Sequence, residues 1–340
     1  MKEKIKIGIL GCANIAEKYA IRAFQSVPSA ELVSIASRDY GKAKEWASRF
    51  GLRAEESYES LISNPVLDAV YIPLPIGLHK EWAIKAALAG KHIICEKSLA
   101  ENFTAVKEIV DLCRRKEIVL YENFMCDFHP QHQKIVSLIK EGAIGRPFVF
   151  KGYFGFPFTD KNNFRYSKSL GGGSLNDAGA YTVFMARKIL NSEPLAVTAR
   201  LDNDENPIDV RGTAFFEFPD GASAFLGFGF DAVYQNNYSV WGSEGLITVG
   251  RAYSIPPEMK PTIELLKNEN LKEVVTSIDA SAANQFELNF SDFCDTILHK
   301  EERGKKINSI YSKILAQARV LEAIRLSTNE KRRVELNEIK

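Results

Sequence analysis

The sequence predicts an α/β protein of two domains, in which a doubly wound parallel sheet precedes an α+β domain with a large, open, mainly antiparallel sheet. Apolar strands alternate with helical patterns in the first third of the chain, which is typical of a parallel sheet covered on both faces. After about residue 122, strand patterns separated by turn signals replace this alternation. The length of 340 residues also fits two domains. We expect domains over 1–122 and 123–340, with the carboxy-terminal helix packing back across both.

Composition and charge narrow the possible function classes. The 44 Lys and Arg residues nearly balance the 43 Asp and Glu residues, whereas a nucleic-acid-binding protein normally carries a basic excess. The five cysteines are scattered, and their odd number argues against a complete disulfide framework. No apolar run approaches the roughly 18 residues of a membrane span, and Met1 to Lys4 lead directly into a strand. We expect a cytoplasmic protein with a small-molecule partner, and neither a nucleic-acid nor a membrane partner.

In the first domain, the sequence predicts strands that alternate with helices. Strands are expected at Ile5–Leu10, Leu32–Ala36, Asp68–Leu74, His92–Cys95 and Ile118–Tyr121. Helices are expected after Gly11 and at Lys42–Phe50, His79–Ala89 and Thr104–Arg115. Because a parallel sheet binds ligands at the carboxyl ends of its strands, the residues that follow each strand are the candidate site.

The turn after the first strand carries a relaxed form of the G-x-G-x-x-G/A pattern. Gly11, Ala13 and Ala16 occupy its three small-residue positions. Small residues there let the backbone approach a pyrophosphate, which then lies at the positive end of the helix. Alanine at the middle position weakens the signal, and a tight turn without a ligand is the alternative. The position between a first strand and a helix favours a Rossmann dinucleotide-binding domain.

The end of the second strand indicates which dinucleotide is bound. An acidic residue there accepts hydrogen bonds from ribose hydroxyls, whereas arginine accommodates a 2′-phosphate. Ser37 and Arg38 come first, and Asp39 follows one place later. The Arg38 guanidinium can pair with a phosphate and Ser37 can donate a hydroxyl hydrogen bond. We predict NADP(H), with a solvated arginine in a loop as the alternative.

Two further segments carry candidate reactive side chains. Lys97 lies just after a strand, where it can orient a substrate hydroxyl or carbonyl. Gly171–Gly173 precede an apparent helix, and they fit either an anion or sugar loop or a flexible linker. Asp177 and Tyr181 are four residues apart, so both project from one face of that helix.

Together these motifs resemble the glucose–fructose oxidoreductase/inositol dehydrogenase (Gfo/Idh/MocA) family over nearly the whole chain. The resemblance is carried by Gly8–Gly11, Asn14-Ile15-Ala16, Ser37-Arg38, Tyr71–Pro75 with Leu78-His79, Glu96-Lys97, Glu122-Asn123-Phe124, His129-Pro130-Gln131, Gly171–Tyr181 and Val240-Trp241-Gly242-Ser243. The tyrosine that ends the triglycine motif resembles the glucose–fructose oxidoreductase, dihydrodiol/xylose dehydrogenase and sugar-nucleotide 3-ketoreductase branches. The last of these is the most similar at Glu122-Asn123, His129-Pro130-Gln131-His132 and Phe164-Arg165-Tyr166.

The resemblance implies an NADP(H)-dependent enzyme that transfers hydride between nicotinamide and a sugar carbonyl or hydroxyl. Its catalytic pair would be Lys97 and Tyr181, with the tyrosine protonating the developing alkoxide and the lysine beside it. Which of the two is the final proton donor stays open. The expected substrate is a nucleotide-linked 3-keto-deoxysugar. A dehydrogenase of a free sugar or cyclic diol is the alternative, and a cofactor-binding regulator without catalysis is a third, less favoured reading.

The resemblance also implies contact residues. The expected substrate contacts are Asp177, Arg165, Tyr166, Gln131 and His132. The expected cofactor contacts are Gly11, Ala13, Asn14, Ile15, Ser37, Arg38, Pro73, Leu74, His79, Glu96, Lys97 and Asn123. Asp177 has an alternative role as a helix N-terminal residue stabilised by the dipole. His79 is expected to cap the helix that begins there.

Two positions depart from the family pattern, and the histidines do not indicate a metal. Ser98 replaces the proline of the usual Glu-Lys-Pro, and Ile76 replaces the asparagine of the usual Pro-Asn, so the local geometry at both loops is in question. No metal is expected, because no cysteine or carboxylate accompanies His129 and His132 at zinc-ligand spacing.

The second domain is expected to form an open sheet. Its predicted strands are Pro147–Phe158 and then, in antiparallel succession, Gly212–Phe218, Ala222–Phe230, Tyr238–Trp241 and Leu246–Val249. An aromatic face is expected from Phe215, Phe216, Phe218, Phe225, Phe228 and Phe230. We expect a homo-oligomer, dimer or tetramer, to form through this face, with sugar stacking as the alternative. Helices are expected at Ala283–His299 and Ser309–Leu326, followed by a frayed polar tail from Asn329.

Overall fold

The computed structural model describes residues 4–158 and 160–340. The chain divides into two compact units, each built from two separate segments. The first unit joins residues 4–125 to Gln285–Leu315, and the second joins Cys126–Asn284 to Ala316–Lys340. The sequence-based division placed every residue after 122 in the second domain, whereas the structure groups Gln285–Leu315 with the first unit.

The first unit contains a parallel sheet in the order β3-β2-β1-β4-β5-β6. Its strands are β1 (Ile5–Leu10), β2 (Ala30–Ala36), β3 (Arg53–Glu55), β4 (Ala69–Ile72), β5 (His92–Glu96) and β6 (Leu120–Asn123). The strand order reverses between β1 and β4, which places the ligand crevice at the carboxyl ends of these two strands. The predicted Rossmann fold is confirmed.

The second unit contains a mixed sheet in the order β14-β13-β12-β11-β7-β10-β9-β8-β15. Its strands are β7 (Pro147–Pro157), β8 (Ala196–Asp202), β9 (Arg211–Glu217), β10 (Ser223–Gly229), β11 (Asp231–Gly242), β12 (Leu246–Gly250), β13 (Thr262–Glu269), β14 (Lys272–Ser277) and β15 (Val334–Glu335). Strand β10 runs parallel to β7, and the other neighbouring strands pair antiparallel. The predicted class, an α+β domain with a mainly antiparallel sheet, is confirmed.

The helices lie between and after these strands. They are α1 (Ile21–Ser26), α2 (Tyr40–Phe50), α3 (Tyr58–Ser63), α4 (Ile76–Leu88), α5 (Phe103–Arg115), α6 (Pro130–Lys140), α7 (Ala180–Leu190), α8 (Gln285–Leu298) and α9 (Lys300–Glu330). Two π-helical turns, Ala16–Ala20 and Leu175–Gly179, lead directly into α1 and α7. Among the described residues, no helix combines the length and apolar character needed to cross a membrane.

Aromatic packing explains why α8 belongs to the first unit. The Phe290 ring stacks on Phe24 at a centroid distance of 3.7 Å and meets the edge of Tyr71 at 5.9 Å. The Phe293 ring contacts Tyr121 at 5.3 Å. These rings are buried, so α8 covers apolar surface of the parallel sheet that water would otherwise reach.

Two expectations about the second sheet are wrong. Strands β10 and β11 do not pair, because the chain crosses the end of β7 at Phe230, whose carbonyl accepts a hydrogen bond from the Phe158 N–H at 2.6 Å. The phenylalanines also do not share one face, because neighbouring residues of a strand point to opposite sides. Phe216 and Phe228 are buried, whereas Phe225 is exposed on the open face.

The carboxy-terminal tail is ordered rather than frayed. Val334 is fully buried and pairs with Val197 of β8. Arg333 donates hydrogen bonds to both carboxylate oxygens of Glu217, at 2.7 and 3.0 Å. The tail therefore forms the last strand of the open sheet. This strand was not predicted because the tail is a run of polar residues without the alternation that indicates a strand.

Candidate active site

The turn after β1 has the geometry of a dinucleotide-binding loop. Gly11 has a φ of 118°, and a Cβ there would lie 2.8 Å from a methyl group of Leu74, so only glycine fits. The Gly11 N–H donates to Ala36 O at 2.9 Å, which ties the turn to the end of β2. Ala13, Asn14 and Ile15 follow at the start of the helical segment, where backbone N–H groups lack intrahelical acceptors. The turn can accept a pyrophosphate.

The end of β2 presents positive charge. The Asp39 carboxylate accepts the backbone N–H of Lys42 at 3.2 Å and caps α2, so it is already used at the helix start. Ser37 accepts the Asp39 N–H at 3.3 Å. Arg38 is exposed, and within the described residues it forms no ion pair. An adenosine ribose that carries a 2′-phosphate suits this corner better than one with a free hydroxyl.

Lys42 was not predicted from the sequence. Its ammonium donates to Cys12 O at 3.2 Å and therefore lies between the first turn and the end of β2. A cation in the first turn of a helix is disfavoured by the helix dipole unless an anion is nearby. The signal in the sequence was its place three residues after the capping aspartate, in the helix start that follows Ser37 and Arg38.

His79 joins two loops at the carboxyl edge of the parallel sheet. Its ring is fully buried, with Nε2 2.7 Å from Leu74 O and Nδ1 2.9 Å from Ser98 O. Burial lowers the pKa of His79 to about 4. The expectation that His79 caps a helix is wrong, because α4 begins at Ile76 and His79 lies inside its first turn. Pro73 and Leu74 form the loop that it anchors.

The loop around Lys97 is anchored at Glu96. The Glu96 carboxylate accepts hydrogen bonds from Tyr71 Oη at 2.6 Å and from Asn123 Nδ2 at 2.5 Å. Asn123 is fully buried at the end of β6, and its own oxygen accepts from Asn289 Nδ2 at 2.5 Å. These bonds fix the residue that precedes Lys97.

The two departures from the family pattern have defined places in this loop region. The peptide bond between Lys97 and Ser98 is cis, although serine replaces the usual proline. The Leu99 N–H donates to a Glu122 carboxylate oxygen at 2.8 Å on the other side of Lys97. Ile76 is buried in the first turn of α4.

The triglycine loop is tightly packed and is not a flexible linker. A Cβ at Gly172 would lie 2.3 Å from Arg165 O, and one at Gly173 would lie 2.4 Å from Asp209 Oδ1. Asp209 accepts hydrogen bonds from Ser174 Oγ at 2.7 Å and from the Leu175 N–H at 2.6 Å. The sequence analysis missed Asp209, which caps the helical segment carrying Asp177 and Tyr181 from a distant loop.

Asp177 and Arg165, both predicted substrate contacts, are brought together. Arg165 Nε lies 2.5 Å from Asp177 Oδ2, and the guanidinium stacks on the rings of Phe158 and Phe164 at 5.2 and 4.9 Å. Asn163 accepts the Arg165 N–H at 3.2 Å and fixes the backbone of the same turn. The pair is partly exposed and presents charge within a largely aromatic surface.

Tyr181 lies at the start of α7 in an aromatic pocket of the second unit. Its ring meets Phe154 edge-on at 5.3 Å and lies 6.2 Å from Tyr253. Gln317 of α9 donates to Ala180 O at 2.9 Å and so holds the helix start. The Tyr181 ring is therefore held by packing against two aromatic neighbours.

Three of the predicted substrate contacts are buried and have partners within the second unit. Tyr166 packs with Phe230, and its hydroxyl donates to Phe158 O at 2.6 Å. His132 Nε2 donates to Ala252 O at 2.8 Å, which leaves Nδ1 to accept from Tyr238 Oη at 2.9 Å. These rings therefore do not present free polar atoms to a ligand.

Gln131, the third of these buried contacts, donates to Arg251 O at 3.3 Å.

No group of three or more His, Cys, Asp or Glu side chains in the described part of the chain is arranged to hold a metal ion.

Two family profiles match the sequence. The profile described as "Oxidoreductase family, NAD-binding Rossmann fold" (GFO/IDH/MocA) matches residues 5–124. The profile described as "GFO/IDH/MocA C-terminal domain" matches residues 132–248.

Three similar proteins indicate the range of activities. The dTDP-3,4-didehydro-2,6-dideoxy-alpha-D-glucose 3-reductase of Saccharopolyspora spinosa is 37% identical over 84% of this chain and 85% of its own. D-xylose 1-dehydrogenase (NADP(+)) 2 of Haloferax volcanii is 34% identical over 74% of this chain and 77% of its own. The crystal structure of a 3-ketoreductase from Actinomadura kijaniata, in complex with NADP and TDP-benzene, is 32% identical with a TM-score of 0.89 and covers 95% of this chain and 98% of its own.

Proposed function

Since the chain belongs to the GFO/IDH/MocA oxidoreductase family, as its motifs predicted, we propose that it is an NADP(H)-dependent reductase of a 3-keto group on a nucleotide-linked deoxysugar. The observation that carries this proposal is the similarity, across 95% of the chain, to a 3-ketoreductase that binds both NADP and a TDP ligand. The enzyme class, an oxidoreductase acting on sugars, follows from the same relatives.

The residues of the first unit fit NADP(H). Gly11 leaves room for the pyrophosphate beside Leu74. Arg38 and Lys42 supply two cations for the 2′-phosphate, and Asp39 is turned to the helix it caps. Pro73, Leu74, Glu96 and Asn123 remain proposed cofactor contacts because they lie at or just after the carboxyl ends of the neighbouring strands β4, β5 and β6. When bound, NADPH supplies the hydride.

The reacting residues supply the proton and orient the carbonyl. As the carbonyl carbon receives a hydride, its oxygen becomes an alkoxide that must be protonated. We assign this proton to the Tyr181 hydroxyl, whose ring the aromatic pocket holds in place. Lys97 stabilises the negative charge that develops on the oxygen. The variants Tyr181→Phe and Lys97→Met distinguish which of these two side chains is the final proton donor.

Arg165 and Asp177 are the proposed substrate contacts of the second unit. A guanidinium between two aromatic rings is pre-oriented and can pair with a diphosphate oxygen. Asp177 holds that guanidinium and can accept a hydrogen bond from a sugar hydroxyl. This arrangement supports a phosphorylated sugar, because a neutral sugar needs no such cation.

A dehydrogenase of a free sugar or cyclic diol is the second candidate. The similarity to D-xylose 1-dehydrogenase favours it. It predicts NADPH formation from NADP⁺ with a free sugar and no effect of a nucleoside diphosphate.

The deciding experiment measures ligand binding and turnover in the same protein. Ligands that bind only the folded state raise the melting temperature by mass action. We expect NADP⁺ together with TDP to raise it more than either alone, and NADPH to be consumed with a TDP-linked 3-keto-deoxysugar. Turnover with D-xylose and NADP⁺, without a response to TDP, would instead establish the second candidate.

A second copy of this chain is the proposed partner of the open sheet face. A groove of about 420 Å³ lies there over Gly155, Gly227 and Gly229, flanked by Tyr153 and Arg200. Elsewhere on this face two aromatic side chains are exposed, Phe225 and Trp241. A two-fold dimer would place the protruding rings of one copy over the glycine floor of the other.

Sedimentation of the wild type and of Phe225→Lys tests this interface. We expect the wild type to sediment as a dimer or larger and the variant as a monomer. Phe216→Leu, on the covered face of the same sheet, should leave the oligomeric state unchanged. A wild type that is monomeric at all concentrations would contradict the interface. The cytoplasmic location stays a prediction.

A further inference from the structure

The first unit contains a buried ring that spans two loops of the proposed site. His79 lies in the first turn of α4, with Leu74 O and Ser98 O at hydrogen-bond distance from its two nitrogens. Leu74 follows β4 and Ser98 follows β5. The ring and these two carbonyls are called the His79 bridge here.

The bridge is rigid because an imidazole is planar and its nitrogens lie at fixed positions. The two carbonyls accept only, so each contact depends on a hydrogen carried by the ring. The ring is fully buried and is neutral at pH 7, so it carries one N–H, which either carbonyl can receive. Removing the ring leaves the carbonyl that accepted this N–H without its donor, which destabilises its loop.

The other bonds around Lys97 show why the bridge matters. On the amino-terminal side, Tyr71 and Asn123 fix Glu96. On the carboxy-terminal side, His79 Nδ1 lies 2.9 Å from Ser98 O, and the Leu99 N–H donates to Glu122. Lys97 thus lies between anchored neighbours. The buried ring donates its one N–H to Ser98 O or to Leu74 O and packs against the other, and in this way it ties Lys97 to the loop carrying Leu74.

We propose that His79 is a positioning residue, which joins the loops after β4 and β5 and so holds Lys97 in its working position. This inference rests on the proposed function for the role of Lys97. The bridge itself is testable without turnover.

Hydrogen exchange measured by mass spectrometry tests the bridge directly. His79→Leu should speed exchange at the amides of residues 96–100 by about tenfold, because one lost buried hydrogen bond changes a local opening equilibrium by at least that factor. His132→Gln is the matched control, since this ring is also buried with two partners, but in the second unit. Equal exchange at residues 96–100 in the wild type and His79→Leu would overturn the proposal.

Steady-state kinetics test the positioning role. We expect kcat of His79→Leu to fall about tenfold or more with a smaller change in KM for the sugar, because Lys97 acts on the developing alkoxide. His79→Gln should recover part of kcat, since its amide N–H can donate to one carbonyl. An active wild type whose kcat is unchanged in both variants would overturn the positioning role. A wild type that consumes no NADPH would overturn the proposed function, and the exchange result would still decide whether the bridge exists.

Discussion

Arg38 and Lys42 are two cations near the start of α2, where the helix dipole opposes positive charge. Each is disfavoured there by about 0.3–1 kcal/mol. Within the described residues neither forms an ion pair, and Lys42 instead reaches across to Cys12 O. A 2′-phosphate would offset both penalties, and an unphosphorylated ribose would not. The choice between NADP and NAD should therefore depend on both side chains.

Lys42→Met should weaken NADP⁺ binding about tenfold to a hundredfold and change NAD⁺ binding less than about twofold, since a charged hydrogen bond contributes about 1.5–3 kcal/mol. Arg38→Ala should likewise weaken NADP⁺ binding much more than NAD⁺ binding. Calorimetric titration with both dinucleotides measures the difference. Lys44→Met is the control, because the Lys44 ammonium lies over the Tyr40 ring instead. Equal losses for NADP⁺ and NAD⁺ would contradict the assignment.

Tyr181→Phe removes the proposed proton donor and keeps the ring in its aromatic pocket. We expect kcat to fall about 10²–10⁴-fold, the usual contribution of a general acid, with NADP⁺ binding unchanged. Lys97→Met should lower kcat as well, and the larger loss identifies the donor. Tyr253→Phe loses only a hydroxyl bonded to Asn237 O and should keep kcat within about threefold. A Tyr181→Phe enzyme with wild-type kcat would exclude tyrosine as the acid.

The sequence predicted which residues directly follow a strand, and their roles stay predictions. Ser37 and Arg38 follow β2, and Lys97 follows β5, as predicted. Lys42 and Asp209 were missed because their partners, Cys12 and Ser174, lie about 30 residues or more away in the chain. No local pattern encodes such a contact.

At the scale of the element, the segment from Ser174 into α7 shows how a loop can depend on a distant carboxylate. Asp209 caps its start, and Gln317 and Arg325 of α9 bind Ala180 O and the Asn176 side chain. The glycines before it are required by close packing rather than by a need for flexibility. The orientation of Asp177 and Tyr181 should therefore depend on Gly173.

Gly173→Ala should destabilise the protein by about 3 kcal/mol or more, because the new methyl group meets Asp209 Oδ1 and the backbone φ is 120°. Gly221→Ala is the matched control, with a φ of 76° and open space around the new methyl group, and should cost about 1–2 kcal/mol. Chemical denaturation followed by far-UV circular dichroism compares the two. Similar losses in both variants would show that the close packing at Gly173 contributes little.

Most elements of the first unit were predicted from the sequence, whereas β8, β13 and β14 of the second unit were not, although they are 6–8 residues long. The short β3 and α3 were missed, since a strand of 3 residues shows no period. The predicted pairing of β10 with β11 was wrong for another reason. Consecutive strands usually lie side by side, and here the chain crosses β7 at Phe230 instead.

At the scale of the whole molecule, buried neutral histidines make stability depend on pH. Burial lowers the pKa of His79 from 6.5 to about 4 and that of His132 well below 6.5. Between the folded and unfolded pKa values the unfolded chain binds more protons than the folded one. The contribution of these histidines to the free energy of unfolding is therefore fully present above about pH 6.5 and is lost as the pH falls. For His79 alone the loss at pH 5 is about 2 kcal/mol.

The melting temperature should therefore fall by roughly 3–6 °C between pH 7 and pH 5. Scanning calorimetry in buffers of equal ionic strength measures it. His132→Gln should reduce this fall, whereas replacing the exposed His299 with Gln should leave it unchanged. A melting temperature that is flat across this window would mean that the buried rings titrate in the folded protein with nearly the same pKa as in the unfolded chain.

The two-segment composition of the first unit has a consequence for biosynthesis. Its aromatic layer is complete only when Phe290 of α8 covers Phe24 and Tyr71. On a ribosome, residues 4–125 emerge roughly 10–30 s before Gln285–Leu315 at usual elongation rates. During that interval the nascent parallel sheet exposes an apolar surface that invites aggregation or chaperone capture. A chain truncated before residue 285 should therefore accumulate in inclusion bodies, and supplying Gln285–Leu315 as a separate peptide should restore part of its solubility.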